Sequence, residues 1–119
     1  MKKISDLKDG ELIYTYGIDT LNKKEVFNIK ELKIKQTHRS SSGKWGAKAE
    51  EINYNGFRNI YEIEHNEGVV FKNALWLSEN NSKLAKDIMI KYFNTQIEDS
   101  YIYIEDLKKK KELLLTSTI

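Results

Sequence analysis

Apolar and polar residues alternate with a period near two over most of the first 77 residues, and then recur every three or four residues towards the C-terminus. The two periods have a geometric origin. Successive side chains of a strand point to opposite faces, whereas those of a helix return to one face at three- and four-residue spacing. Residues 11–16, Glu-Leu-Ile-Tyr-Thr-Tyr, are bracketed by Gly10 and Gly17 and predict a first strand. A polar turn is expected over 19–24. Val26, Phe27 and Ile29, then Leu32 and Ile34, predict a second strand that closes a hairpin with the first. The apolar phase moves from odd to even numbers across Lys30-Glu31, the signature of a β-bulge or sharp bend at that point.

Residues 38–46, rich in serine and glycine, read as a loop. Trp45, Ala47 and Ala49 alternate after it, and Ile52 and Tyr54 follow in the opposite phase. Asn55-Gly56 predicts a tight hairpin turn, because a type I′ turn needs positive φ at both central positions. Residues 60–65 alternate again, with Tyr61 and Ile63 on one face. Asn66-Glu67-Gly68 marks a turn, Val69-Val70-Phe71 resumes a strand, and Ala74-Leu75-Trp76-Leu77 is a short apolar run. The expected fold class is α+β: a small, strongly bent antiparallel sheet or barrel-like domain of about five or six strands, then one or two C-terminal helices. The whole chain is expected to form a single domain over 1–119, β-rich over 4–77 and helical over 81–115.

In the helical part, Asn80 or Asn81 is suited to cap the first free amides. Leu84, Ala85, Ile88, Met89, Tyr92 and Phe93 line one helical face behind it. A seven-residue spacing continues through Ile90, Ile97, Ile104 and Lys111, with a companion series Phe93, Ser100, Leu107 and Leu114. Such spacing makes Ile97, Ile104, Leu107 and Leu114 candidates for self-association into a homodimer. Asn94-Thr95-Gln96 and Asp99-Ser100 are weak helix formers, so 94–100 reads either as a turn between helices 82–95 and 101–114 or as continuous helix. The β-branched run 102–104 leaves a short strand open as well.

The composition is that of a globular chain: 39% of residues are hydrophobic and 32% charged, and 119 residues suffice for one core without disulfide or metal staples. Cysteine is absent, which excludes a disulfide framework and a cysteine zinc site. The opening Met1-Lys2-Lys3-Ile4-Ser5-Asp6 is basic without an apolar run behind it, so no signal peptide is expected, and the expected location is the cytoplasm. Net charge is +2, and two of the 20 basic residues are arginines, Arg39 and Arg58. That balance lies short of the strongly basic character of a dedicated nucleic-acid binder.

No catalytic constellation and no cofactor are expected. His38 and His65 lack the spacing of a helical metal pair. Ser40-Ser41-Ser42-Gly43-Lys44 resembles a phosphate loop, but His38 stands where the loop needs glycine and Trp45 where it needs a hydroxyl. Glu31-Leu32-Lys33 with Asp19 upstream is similar to the Glu-x-Lys arrangement of metal-dependent nucleases, in which carboxylates hold a magnesium ion. The same strand alternation explains Glu31, Lys33 and Lys35 as one solvent face. Lys108, Lys109, Lys110 and Lys111 complement a helix C-terminus and offer a footprint for phosphates, which makes nucleic acid the alternative partner. The aromatics Tyr14, Tyr16, Trp45, Tyr54, Phe57 and Tyr61 concentrate in the sheet. Trp45, in the glycine-flanked loop, is expected to be exposed, and with Arg39, Lys44 and Arg58 it forms the candidate protein-binding set.

The layout, a β-domain followed by Leu75-Trp76-Leu77-Ser78-Glu79…Ala85 and a helical segment rich in lysine and glutamate, resembles small accessory proteins of bacterial phages and mobile elements. The resemblance implies a non-enzymatic module that binds a host-encoded protein, a class that includes inhibitors of host defence such as anti-CRISPR proteins.

Overall fold

The computed structural model describes residues 1–51, 56 and 58–117. It contains a short 3-10 turn at Ile4–Asp6 and five strands: β1 Leu12–Leu21, β2 Lys24–Arg39, β3 Trp45–Glu51, β4 Ile60–Ile63 and β5 Ala74–Leu77. One helix, α1, covers Ser82–Thr116. The strands form one antiparallel sheet in the order β4-β3-β2-β1-β5. The sheet is open, with β4 and β5 at its edges, so the α+β layout holds and the barrel alternative does not. Contacts divide the chain into two compact units, Met1–Met89 and Ile90–Ile119.

In the first unit the sheet buries residues on both faces. On one face Ile13, Leu32, Ile34, Ala47, Ala49, Ile63 and Trp76 form the core with Ile4 and Leu7 of the N-terminal segment. Burying each of the larger aliphatic chains there contributes about 1.5–3 kcal/mol relative to exposure. On the other face Tyr16, Leu75 and Leu77 are buried, as are Ala85 and Met89 in the first two turns of α1.

The apolar phase shift in β2 is a change of face. The register runs without interruption through Lys30 opposite Thr15 and Glu31 opposite Tyr14, so the bulge expected there is absent. Phe27 and Ile29 project to the face of Tyr16, where they stay 36% and 48% exposed, and Leu32 and Ile34 are buried on the core face: the apolar side changes, not the residue count. The bulge lies between Ile34 and Gln36, where Lys35 is the extra residue.

Other boundaries move for similar reasons. β1 continues through Gly17, whose missing Cβ admits Ala74 of β5; a Cβ there would lie 3.3 Å from that of Ala74. The β1–β2 turn narrows to Asn22 and Lys23, both at positive φ. β2 runs to Arg39 and β3 starts at Trp45, which reduces the loop expected over 38–46 to a tip. That tip is closed by hydrogen bonds from Lys44 N to Ser40 Oγ at 3.1 Å and from Ser40 N to Lys44 O at 2.8 Å. Val69-Val70-Phe71 is not a strand: Phe71 makes one bridge to Ala74 across a turn in which Lys72 and Asn73 have positive φ. Ile52, Tyr54, Asn55 and Phe57 lie outside the described residues, and Gly56 beside them has φ +75°.

α1 is a single helix, which removes both the turn expected over 94–100 and the strand option at 102–104. Thr95 and Ser100 donate their hydroxyls to the carbonyls of Lys91 and Gln96, four residues back, at 3.1 and 2.9 Å. The weak helix formers thus place their polar groups on the preceding turn instead of diverting the backbone.

Candidate functional site

A groove of about 410 Å³ opens on the core face of the first unit. Its floor is set by strand alternation: Thr15 and Gly17 of β1, Lys30 and Leu32 of β2, and Ala74 and Trp76 of β5 all project to this side. Tyr61 and Ile63 of β4, then His65, Val69 and Phe71, contribute to its walls. The small floor residues Gly17 and Ala74 leave the groove its depth.

One end of the groove is polar. Lys30 Nζ donates to the Tyr61 hydroxyl at 3.3 Å and sits 4.8 Å from that ring's centre. Tyr61 in turn donates to Glu51 Oε2 at 3.1 Å, and Asn59 Nδ2 reaches the same oxygen at 2.9 Å. Among the described residues no carboxylate lies within ion-pair distance of Lys30, so its charge meets only a hydroxyl and a ring face. Asn28 Nδ2 donates to the Asp19 carboxylate at a further position on the floor.

The other wall is aromatic. The His65 and Phe71 rings are 4.2 Å apart between centres, and Lys72 Nζ lies 5.3 Å from the Phe71 ring. The His65 carbonyl accepts from the indole of buried Trp76 at 2.6 Å, which fixes the wall to the sheet. Phe71 and Val69 nevertheless remain 41% and 45% exposed, unusual for a wall so firmly held.

A second recess of about 390 Å³ is lined by Ile4, Lys44, Trp45, Glu64, His65 and Val69. Glu64, His65 and Val69 belong to both recesses, so one surface runs from Lys30 and Phe71 across His65 and Val69 to Trp45.

Of the candidate protein-binding residues, Arg39, Lys44 and Trp45 come together at the β2–β3 tip. Trp45 is 41% exposed, and the Arg39 guanidinium lies 6.0 Å from its ring centre while donating to Gly43 O at 3.3 Å. Arg58 does not join them. It pairs at 3.2 Å with Glu50, five residues from Trp45 along β3 and therefore about 17 Å away at strand rise. Glu50 also meets Lys35 at 3.1 Å; the Lys35 hydrogen bond and the neighbouring cations hold its carboxyl below the usual range despite partial desolvation.

The nuclease-like set does not assemble either. Asp19 projects to the core face, whereas Glu31 and Lys33 project to the opposite face, with Glu31 3.5 Å from the Tyr14 hydroxyl. His38 meets Glu62 at 3.1 Å on that opposite face, apart from His65. Among the described residues no three His, Asp or Glu side chains stand close enough to hold a metal ion.

Sequence reasoning missed the groove residues Lys30, His65, Val69 and Phe71. The apolar run Val69-Val70-Phe71 reads as a strand, and only the single bridge of Phe71 to Ala74 shows that Val69 and Phe71 leave the ladder and form a wall.

In the second unit every described residue of α1 but the partly buried Phe93 is exposed. Lys108 pairs with Glu105 at 3.4 Å and Lys110 with Asp106 at 3.0 Å, while Lys109 and Lys111 make no ion pair among the described residues. No helix among the described residues is long and apolar enough to cross a membrane. The chain matches no protein-family model, no curated protein and no solved structure.

Proposed function

We propose that this chain is a non-enzymatic protein-binding module of phage or mobile-element type that inhibits a host defence protein, and that it seats its target along the surface from Lys30 to Trp45. The single observation that carries this reading is the line of exposed apolar side chains Phe71, Val69 and Trp45 on the rims of two recesses that share a wall. Aromatic anchors beside recesses are the usual centres of binding energy at protein interfaces. Lys30, Arg39, Lys44 and Lys72 surround that line, which favours a target segment with apolar anchors and acidic flanks. The length of the surface favours a polypeptide over a small molecule. The alternative, nucleic acid bound through Lys108, Lys109, Lys110 and Lys111, has weaker support because two of the four ammonium groups already serve neighbouring carboxylates.

The test is capture from host lysate by the intact protein and by Trp45→Ala and Phe71→Ala variants, with a photo-crosslinking residue at position 69. One stoichiometric protein, crosslinked at 69 and lost at least tenfold with either variant, supports the reading. Equal capture by all three proteins, or no capture, removes it. A nucleic-acid complex whose affinity falls steeply with salt transfers the function to the lysine cluster.

A further inference from the structure

We propose that residues 97–114 of α1 pair with the same segment of a second copy as an antiparallel two-stranded coiled coil, in the register that sets Ile104 against Leu107. The starting point is an unpartnered seam. Ile97, Ile104, Leu107 and Leu114 recur at heptad positions of one uninterrupted helix and are between 44% and 77% exposed. A stripe of that regularity is the contact surface of a coiled coil, and the heptad period places it continuously towards a neighbour.

The two non-apolar seam positions, Ser100 and Lys111, choose the orientation. In a parallel, in-register pair each seam position meets itself, so Lys111 would face Lys111, with the full lysine clusters 108–111 side by side. Like charges in that arrangement oppose pairing. In the antiparallel register stated, Ile97 faces Leu114, Ile104 faces Leu107, and Lys111 faces Ser100. Every apolar seam residue from 97 to 114 then meets another apolar residue, and the two polar positions meet each other. Ser100 already donates its hydroxyl proton to Gln96 O, which leaves the oxygen lone pairs to accept from the Lys111 ammonium. Lys111 has no carboxylate partner of its own among the described residues. The two lysine clusters move apart by about eight residues, or ~12 Å along the axis, beyond the Debye length of about 8 Å at physiological salt.

The flanking positions agree. In this register Tyr101 on one side of the seam lies across from Lys108, and Tyr103 on the other side lies across from Lys110. An ammonium over a tyrosine ring is attractive, and the lysine stem covers apolar surface. Tyr101 and Tyr103 are 66% and 63% exposed on the single helix, so both rings have area to bury. The antiparallel register one heptad away instead sets Lys111 on Phe93, Ser100 on Ile104, and each tyrosine on its own copy. Polar residues at seam positions fix register because mismatched layers leave them unpaired.

The chain has no cysteine, so introduced ones report geometry cleanly. Light scattering of the intact protein is expected to give twice the 14.0 kDa chain mass, and Ile104→Asn to weaken the dimer at least tenfold with the sheet unit still folded. Mild oxidation of mixed Ile97→Cys and Leu114→Cys chains is expected to yield the mixed disulfide. A monomer at millimolar concentration overturns the proposal. So does a disulfide between two Ile97→Cys chains, which reports parallel helices, or a dominant Ile97→Cys to Leu107→Cys disulfide, which reports the shifted register. The outcome is independent of whether the sheet surface binds a host protein.

Discussion

The Tyr16 hydroxyl, at the centre of β1, accepts a hydrogen bond from the Asn81 backbone N–H at 2.8 Å and donates one to Asn80 Oδ1 at 3.1 Å. Asn81 Oδ1 accepts from Leu84 N at 3.1 Å and so caps α1. One buried tyrosine therefore ties the sheet to the point where the helix begins.

Tyr16→Phe keeps the ring, which stacks 6.2 Å from that of Phe27, and removes both hydrogen bonds. The expected loss is about 1–2 kcal/mol in urea unfolding at neutral pH. Burial also holds the Tyr16 hydroxyl above the ordinary tyrosine range, against the lowering effect of the Asn81 N–H. The folded chain thus retains a proton at a pH where the unfolded chain has released it. Its contribution is complete below about pH 10 and declines as pH rises through the folded value. The phenylalanine variant is expected to lack that alkaline decline, and a parallel slope in both proteins would contradict the assignment.

Glu67 joins the N-terminal segment to the end of β5. Its carboxylate accepts from Lys2 N at 2.7 Å, Ser78 N at 2.7 Å and Ser78 Oγ at 2.8 Å. Burial alone would raise its pKa, but these donors together hold it below the usual range. The unfolded chain then binds the proton first as pH falls. Glu67 contributes fully above about pH 4.3 and its contribution fades as pH drops through the lower folded value. Glu67→Gln is expected to cost about 1–3 kcal/mol at pH 7. The gap to the parent protein in denaturant midpoints should narrow towards pH 3.

Trp76 supplies both core volume and the indole donor that holds the groove wall. Trp76→Ala is expected to cost about 3–5 kcal/mol. Trp76→Phe should cost less but release the His65 carbonyl, which amide hydrogen exchange and His65 ring shifts would report as a looser 65–71 segment. An unchanged His65 environment in Trp76→Phe would count against the indole as the fastening.

Thr95→Ala tests the continuity of α1. If the Thr95 hydroxyl is merely accommodated by Lys91 O, alanine removes a weak helix former at an exposed position and should strengthen local helix by about 0.5 kcal/mol. Slower amide exchange over 92–99 would follow. Faster exchange would mean that the hydroxyl is needed to hold the turn.

Much of the architecture is legible locally. The strand at Leu12, the exposed Trp45, the Asn81 cap and the helical face from Leu84 to Met89 all follow from side-chain period and capping chemistry within a few residues. The heptad positions of α1 are equally plain, although Thr95 and Ser100 obscured that a single helix carries them. The groove was not legible, because Lys30 and Phe71 are neighbours only through the pairing of β1 with both β2 and β5.

Alternation in a sequence reports that a residue faces one side of a strand, never what covers that side. Hence the change of phase at Lys30-Glu31 resembles an extra residue, whereas it marks a change from Ile29, half-exposed on one face, to Leu32, buried on the other. Ile4 and Leu7 carried no periodic signal, yet they seal the core, pinned by bonds such as that from Lys2 to Glu67, 65 residues away. Contacts of that span depend on the whole chain folding back on itself, and no short stretch of residues encodes them.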